Sequence, residues 1–177
     1  KCGTELGEGV AFCSNCGAVI EQQQPNYQGE PQGKTADAGE LEAEMAFGAG
    51  ADLITILGAT GDATIIGAVK AAKAHGKGVV VDTIGVADRV KRAQEVIALG
   101  VQFVELHAGL DEQAQEGYSI QVLIDEAARA GVPVSIAGGV NLSNIAAVKA
   151  SGVTVAVAGA AIYSAEDPAA AAKALYD

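Results

Sequence analysis

Four groups of residues in this sequence have types and spacings that chemistry can use. Lys34 and Asp37 set a cation and a carboxylate three apart at the mouth of a predicted helix. Such a pair can stabilise a developing oxyanion, or it can be a solvated i, i+3 pair that does no chemistry. His107 closes an apolar run; an imidazole there can move a proton at neutral pH or simply hydrogen-bond at a strand end. Ala137-Gly138-Gly139-Val140 and Ala158-Gly159-Ala160-Ala161 are two Gly-bearing turns. Their backbone amides can face a phosphate, or the glycines can serve close packing of helix on strand. Cys13-Ser14-Asn15-Cys16-Gly17 is a Cys-x-x-Cys-Gly knuckle that can present two thiolates to one tetrahedral Zn²⁺. With Cys2 the set has three thiolates, so a fourth ligand must come from solvent or from elsewhere. The alternative is a reduced, Cys-bearing tail.

The elements that must position these groups follow from hydrophobic patterning. Residues 39–47, 62–74, 88–99, 119–130, 143–150 and 168–176 read as helices, with Asp62 capping the second and Leu41 and Met45 on one face of the first. Between them, residues 53–57, 79–81, 101–106, 132–137 and 154–158 read as strands apolar on both faces. Gly50, Gly76, Gly100, Gly131 and Gly152 each fall where a helix should end in the left-handed conformation, and a strand begins shortly after. Strands of this kind joined by helices through short loops must run parallel. Asp82, His107 and both glycine turns then lie at the C-terminal ends of strands, where parallel α/β folds build their sites. Two architectures fit, a (β/α)8 barrel and an open doubly wound sheet. Glycine turns after the last two strands together favour the phosphate site of a barrel.

Composition narrows the class of function. Eleven Lys and Arg against 22 Asp and Glu give a net charge of −11, which argues against a general nucleic-acid or anionic-membrane binder. No run approaches the roughly 20 apolar residues of a membrane span and no signal-peptide pattern opens the chain, so the expectation is a cytoplasmic protein. All three Cys lie in the first seventeen residues, which makes a local metal knot the question rather than a disulfide framework. Residues 21–33 hold three consecutive Gln, two Pro and almost nothing apolar; they read as a linker between residues 1–20 and residues 34–177.

From Lys34 to the C-terminus the residues resemble the 3-hexulose-6-phosphate synthases, of the orotidine-monophosphate decarboxylase suprafamily of (β/α)8 barrels. The resemblance is carried by Lys34-Thr35-Ala36-Asp37-Ala38-Gly39-Glu40, by Gly50-Ala51-Asp52, by Val81-Asp82-Thr83-Ile84-Gly85-Val86, and by His107-Ala108-Gly109-Leu110-Asp111-Glu112-Gln113 with the two glycine turns. It implies an aldol condensation of formaldehyde with D-ribulose 5-phosphate, assisted by Mg²⁺. Lys34 would supply an ammonium to the enediolate. Asp37 would stand beside it, projecting into the neighbouring subunit's site of a homodimer, and His107 would be the proton shuttle or a donor to the enediolate. Gly138, Gly139, Gly159 and Ala160 would offer amides to the 5-phosphate. The first twenty residues resemble a zinc ribbon whose fourth Cys would fall just before Lys1.

The sequence departs from the family's pattern at one place. The suprafamily signature is Asp-x-Lys-x-x-Asp, and Gln32 stands where its first Asp belongs, after linker rather than strand. The first two βα units and the third strand of the barrel have no counterpart, and the family's metal ligands lie on the second and third strands. The expectation is therefore a partial (β/α)8 barrel of weak or no turnover. Two other readings compete: a non-catalytic assembly protein that keeps a zinc ribbon and a phosphate pocket, and a lyase like 3-keto-L-gulonate-6-phosphate decarboxylase. The run from His107 to Gln113 disfavours the second.

Overall fold

Apolar runs of four or five residues bounded by glycine turns become strands, and the longer amphipathic stretches between them become helices. The structure is a computed structural model that describes residues 38–177. The readings placed on Cys2, Cys13, Cys16, the 21–33 linker, Lys34 and Asp37 lie outside the described residues. The order is α1 (Ala38–Gly48), β1 (Leu53–Leu57), α2 (Asp62–His75), β2 (Gly78–Asp82), α3 (Arg89–Ala98), β3 (Phe103–His107), α4 (Leu110–Gln113), α5 (Gln121–Ala130), β4 (Val134–Ala137), α6 (Ile145–Ala150), β5 (Val155–Val157), α7 (Ala160–Tyr163) and α8 (Pro168–Tyr176). The five strands form one parallel sheet in the order β1-β2-β3-β4-β5.

That order decides between the two architectures. A doubly wound sheet reverses its direction of growth at a switch point, so its strand order cannot follow the sequence throughout. Here each strand adds beside the one before it. With right-handed crossovers every helix then falls on one face, which is the arrangement of an arc of a (β/α)8 barrel.

Register separates the two faces of the arc. Val79, Val81, Val104, Leu106, Val134 and Ile136 alternate onto the helical side and are buried there. They form the core with Ile65, Val69, Val96, Leu123 and Val148 from the helices; each such side chain contributes about 1.5–3 kcal/mol on burial. The other face carries Asp82, Glu105, His107, Ser135 and Ala137 at the centre, and Leu57 and Val157 at its margins. The five glycines at the predicted helix ends all have positive φ, as their cap positions require.

Two local expectations are corrected. Asp62 is the first residue of α2 rather than its cap, because Gly61 occupies the cap position and the Asp62 carboxylate accepts instead from Arg92 at 2.8 Å. Leu41 and Met45 are exposed, and α1 packs through Gly39, Ala43 and Phe47. The reason is proximity: a Cβ on Gly39 would overlap the carbonyl of Thr64, and one on Gly67 would come within 3.0 Å of the Glu40 nitrogen. Helices this close touch through small residues. His75, read from sequence as a charge near a helix C-terminus, also ties the two helices together, with Nε2 2.6 Å from Glu44 Oε2.

Candidate active site

Three polar side chains meet at the C-terminal ends of β2 and β3. Asp82 and Glu105 are paired in register, and His107 follows Glu105 by two, so all three project from the same face of the sheet. Their ligating atoms lie within 4.8 Å of one another. His107 Nδ1 sits 3.0 Å from Asp82 Oδ2 and 3.1 Å from Oδ1. Against a carboxylate, which only accepts when ionised, the neutral imidazole would carry its proton on Nδ1 and leave Nε2 as the acceptor. Asp82 is itself fixed, because its Oδ1 accepts the Ile84 amide at 2.8 Å. The buried Thr83 hydroxyl donates to the Glu105 carbonyl at 2.8 Å and accepts the His107 amide at 3.3 Å, locking the two strand ends together.

Glu105 is the member that sequence reasoning missed. Its type inside the run Phe103-Val104-Glu105-Leu106-His107 was the available signal: a carboxylate in an otherwise apolar strand must face away from the core. Burial raises its pKa, and the Asp82 carboxylate raises it further while His107 works against both. On the next strand Ser135 is paired in register with Glu105, is fully buried, and among the described residues its Oγ has no hydrogen-bond partner.

The loop after β3 closes the site from one side. Arg89 at the start of α3 grips Glu112 of α4 with Nη1 and Nη2 at 2.8 and 3.0 Å, and Glu126 of α5 with Nε and Nη2 at 2.7 and 3.2 Å. Burial works against the Arg89 charge, but the bonds to Glu126 and Glu112 outweigh it and its pKa is raised. Gln113 then donates to the Ala108 carbonyl at 2.7 Å, and the Tyr118 hydroxyl to the Gly138 carbonyl at 2.8 Å. Burial raises the Tyr118 pKa, and so does Glu112; the phenol stays a donor.

The glycine turns meet His107 in one cavity. Gly138 and Gly139 have φ of 117° and 82°, and a Cβ on Gly138 would stand 2.5 Å from the Ala108 carbonyl oxygen. Only glycine fits there. The carbonyl of Gly139 accepts from both Asn141 and Asn144 side chains at 2.9 Å, which pins the turn. A cavity of about 330 Å³ is lined by Glu105, His107, Gly138, Gly139, Gly159 and Ala160, with Gln113 and Tyr163 at its wall. The structure thus brings together His107 and all four residues read from sequence as phosphate-facing. The turn after β5 departs from expectation in one respect: Ala160 opens the short helix α7.

Comparison with known proteins agrees with this geometry. The family model described as orotidine 5'-phosphate decarboxylase / HUMPS family matches residues 33–175, and a zinc-ribbon domain model matches residues 1–20. The 3-hexulose-6-phosphate synthase of Mycobacterium gastri is 63% identical over 142 residues, covering 80% of this chain and 69% of that protein. A crystal structure of 3-hexulose-6-phosphate synthase superposes with a TM-score of 0.76 at 63% identity, over 80% of this chain and 69% of the other. The 3-keto-L-gulonate-6-phosphate decarboxylase of Vibrio cholerae is more distant, with a TM-score of 0.65 and 28% identity over 80% of this chain and 67% of that one. The chain belongs to the orotidine 5'-phosphate decarboxylase / HUMPS family.

Proposed function

We propose that this chain acts as a 3-hexulose-6-phosphate synthase, an aldehyde-lyase that adds formaldehyde to D-ribulose 5-phosphate. The observation that carries the reading is the 63% identity to the Mycobacterium gastri synthase across the stretch that contains His107 and both glycine turns. The decarboxylase alternative has only the lower identity of 28% behind it.

The reaction removes the C1 proton of the ketose to leave an enediolate. The enediolate carbon attacks formaldehyde, a C–C bond forms, and the formaldehyde oxygen takes up a proton. His107 suits the proton movements: Asp82 holds its Nδ1–H, and Nε2 is left to accept and return a proton in the cavity. In this reading Lys34 would supply positive charge to the enediolate, Asp37 would be its acidic partner, and the active form would be a homodimer. Gly138, Gly139, Gly159 and Ala160 line the end of the cavity suited to the 5-phosphate. A divalent cation such as Mg²⁺, when bound, would supply charge stabilisation for the enediolate. Charge and composition suit a cytoplasmic enzyme, and among the described residues no helix is long and apolar enough to cross a membrane.

The test is formaldehyde-dependent consumption of ribulose 5-phosphate with Mg²⁺, measured for the full chain beside Lys34→Ala and His107→Gln. Turnover that is weak, as the departure at Gln32 predicts, but above both controls is expected. Equal rates in all three would assign the chain to the non-catalytic reading, a protein that keeps a phosphate pocket without the reaction.

A further inference from the structure

The condensation moves two protons at two different atoms, and His107 accounts for one of them by taking the proton that leaves C1 of the ketose. When the enediolate carbon attacks formaldehyde, the electron pair of the C=O π bond becomes an alkoxide one bond beyond C1. That oxygen needs a proton of its own. Asp82 occupies His107 Nδ1 at 3.0 Å, so Nε2 is the position left to take the C1 proton, and once filled it lies over C1 rather than over the new oxygen. A second acid is called for.

Besides His107, the cavity wall offers two groups that carry an acidic proton, Glu105 and the phenol of Tyr163. Tyr163 lies out on the rim, 72% exposed. Glu105 is half-buried on β3, two residues before His107 and on the same face of the sheet, with polar atoms of Asp82, Glu105 and His107 within 4.8 Å of one another. Its neighbours across the sheet are Asp82 on β2 and Ser135 on β4. Asp82 has partners in Ile84 and His107, but among the described residues no side-chain hydrogen bond or ion pair engages the Glu105 carboxyl. A half-buried carboxyl beside a carboxylate, with no cation bound to it, tends to keep its proton. Burial and then the Asp82 charge act in that direction, with His107 opposing.

We infer that Glu105 is a second catalytic residue of the condensation, donating its carboxyl proton to the formaldehyde oxygen as the C–C bond forms. The role rests on the synthase reading of the same cavity. The C1–H bond breaks with its proton on His107 Nε2; the bond from C1 to the formaldehyde carbon then forms as the C=O π bond breaks, and the oxygen takes the Glu105 proton. The imidazolium finally returns the C1 proton to the Glu105 carboxylate, through one water at most. Both groups end as they began. The order of events also suits the donor, because a positive charge arising on His107 this close makes Glu105 a stronger acid only after C1 has been deprotonated.

The experiment separates the two proton transfers. In D₂O with Mg²⁺ and no formaldehyde, proton NMR follows the exchange of the C1 proton of ribulose 5-phosphate for deuterium, which reports enediolate formation alone. With formaldehyde added, consumption of the ketose reports the whole reaction. The full chain is compared with Glu105→Gln, Glu105→Asp and His107→Gln. Glu105→Gln should keep C1 exchange within about threefold of the wild type while condensation slows about a hundredfold. Glu105→Asp should recover part of that loss, and His107→Gln should lose both activities. Condensation by Glu105→Gln at the wild-type rate overturns the inference and leaves the synthase reading standing. Equal losses of exchange and condensation in Glu105→Gln overturn it as well, since Glu105 would then serve enediolate formation or the fold rather than the formaldehyde oxygen. A wild type that neither exchanges C1 nor consumes the ketose sinks the synthase reading and the role of Glu105 with it.

Discussion

The phenol of Tyr118 shows how one residue links the loop after β3 to the glycine turn after β4. Its hydroxyl donates to the Gly138 carbonyl at 2.8 Å, and burial followed by the nearby Glu112 charge raises its pKa. A group whose folded pKa lies above its unfolded value stabilises the protein fully below the unfolded value. That stabilisation is lost as pH rises through the folded one. For Tyr118 the loss should begin above about pH 10, the ordinary tyrosine range. Tyr118→Phe should therefore cost about 1 kcal/mol at neutral pH through the missing hydrogen bond. It should also make the alkaline fall in stability shallower than in the wild type. Denaturant unfolding at pH 8 and at pH 11 measures both; parallel losses in the two proteins would mean that Tyr118 ionises as freely in the fold as outside it. The bond was not legible in the sequence, because the partner is a backbone carbonyl 20 residues away. His107 and the glycines were legible, since each stands at the end of an apolar run where its type alone marks it.

Among the elements, α4 depends most on tertiary contacts. Four residues cannot sustain a helix on propensity, so α4 persists because Arg89 holds Glu112 on one side and Gln113 reaches the Ala108 carbonyl on the other. Removing a buried partner leaves the opposite charge uncompensated, which typically costs about 3–5 kcal/mol. Arg89 is 9% exposed and serves two carboxylates. Arg89→Ala should thus destabilise the chain by about 3 kcal/mol, and adding Glu112→Gln and Glu126→Gln should return much of that loss. Chemical denaturation of the three proteins tests this, and a triple variant no better than Arg89→Ala would show that packing of the guanidinium, not charge, is what was lost. The long helices were readable from periodicity and their glycine stops. Helix α4, the four-residue α7 and the packing face of α1 were not. Periodicity ranks Leu41 and Met45 above Ala43 and Gly39, whereas helices in close approach select the smallest side chains.

At the scale of the whole molecule, the parallel sheet could be read from strands apolar on both faces, and the barrel from the two glycine turns and the family resemblance rather than from the strand pattern itself. Strand order is a long-range property that local pattern does not encode; the sequential order β1 to β5 settles it as the arc of a barrel. The same limit applies to the two ends of the chain. A zinc-ribbon model matches residues 1–20 and the decarboxylase / HUMPS model residues 33–175, so two family matches share one chain. The stretch between them is rich in Gln and poor in apolar residues. The reduced chain should accordingly carry about one zinc, held by the thiolates of Cys2, Cys13 and Cys16 with a fourth ligand from solvent or elsewhere. Cys13→Ser and Cys16→Ser should each lose most of it by elemental analysis. Neither change should alter turnover, because His107 and the glycine turns, not the thiolates, carry the proposed reaction. Zinc absent from a reduced wild-type preparation would remove the metal from the head. A cysteine variant that lost zinc and turnover together would instead show that the head contributes to the reaction.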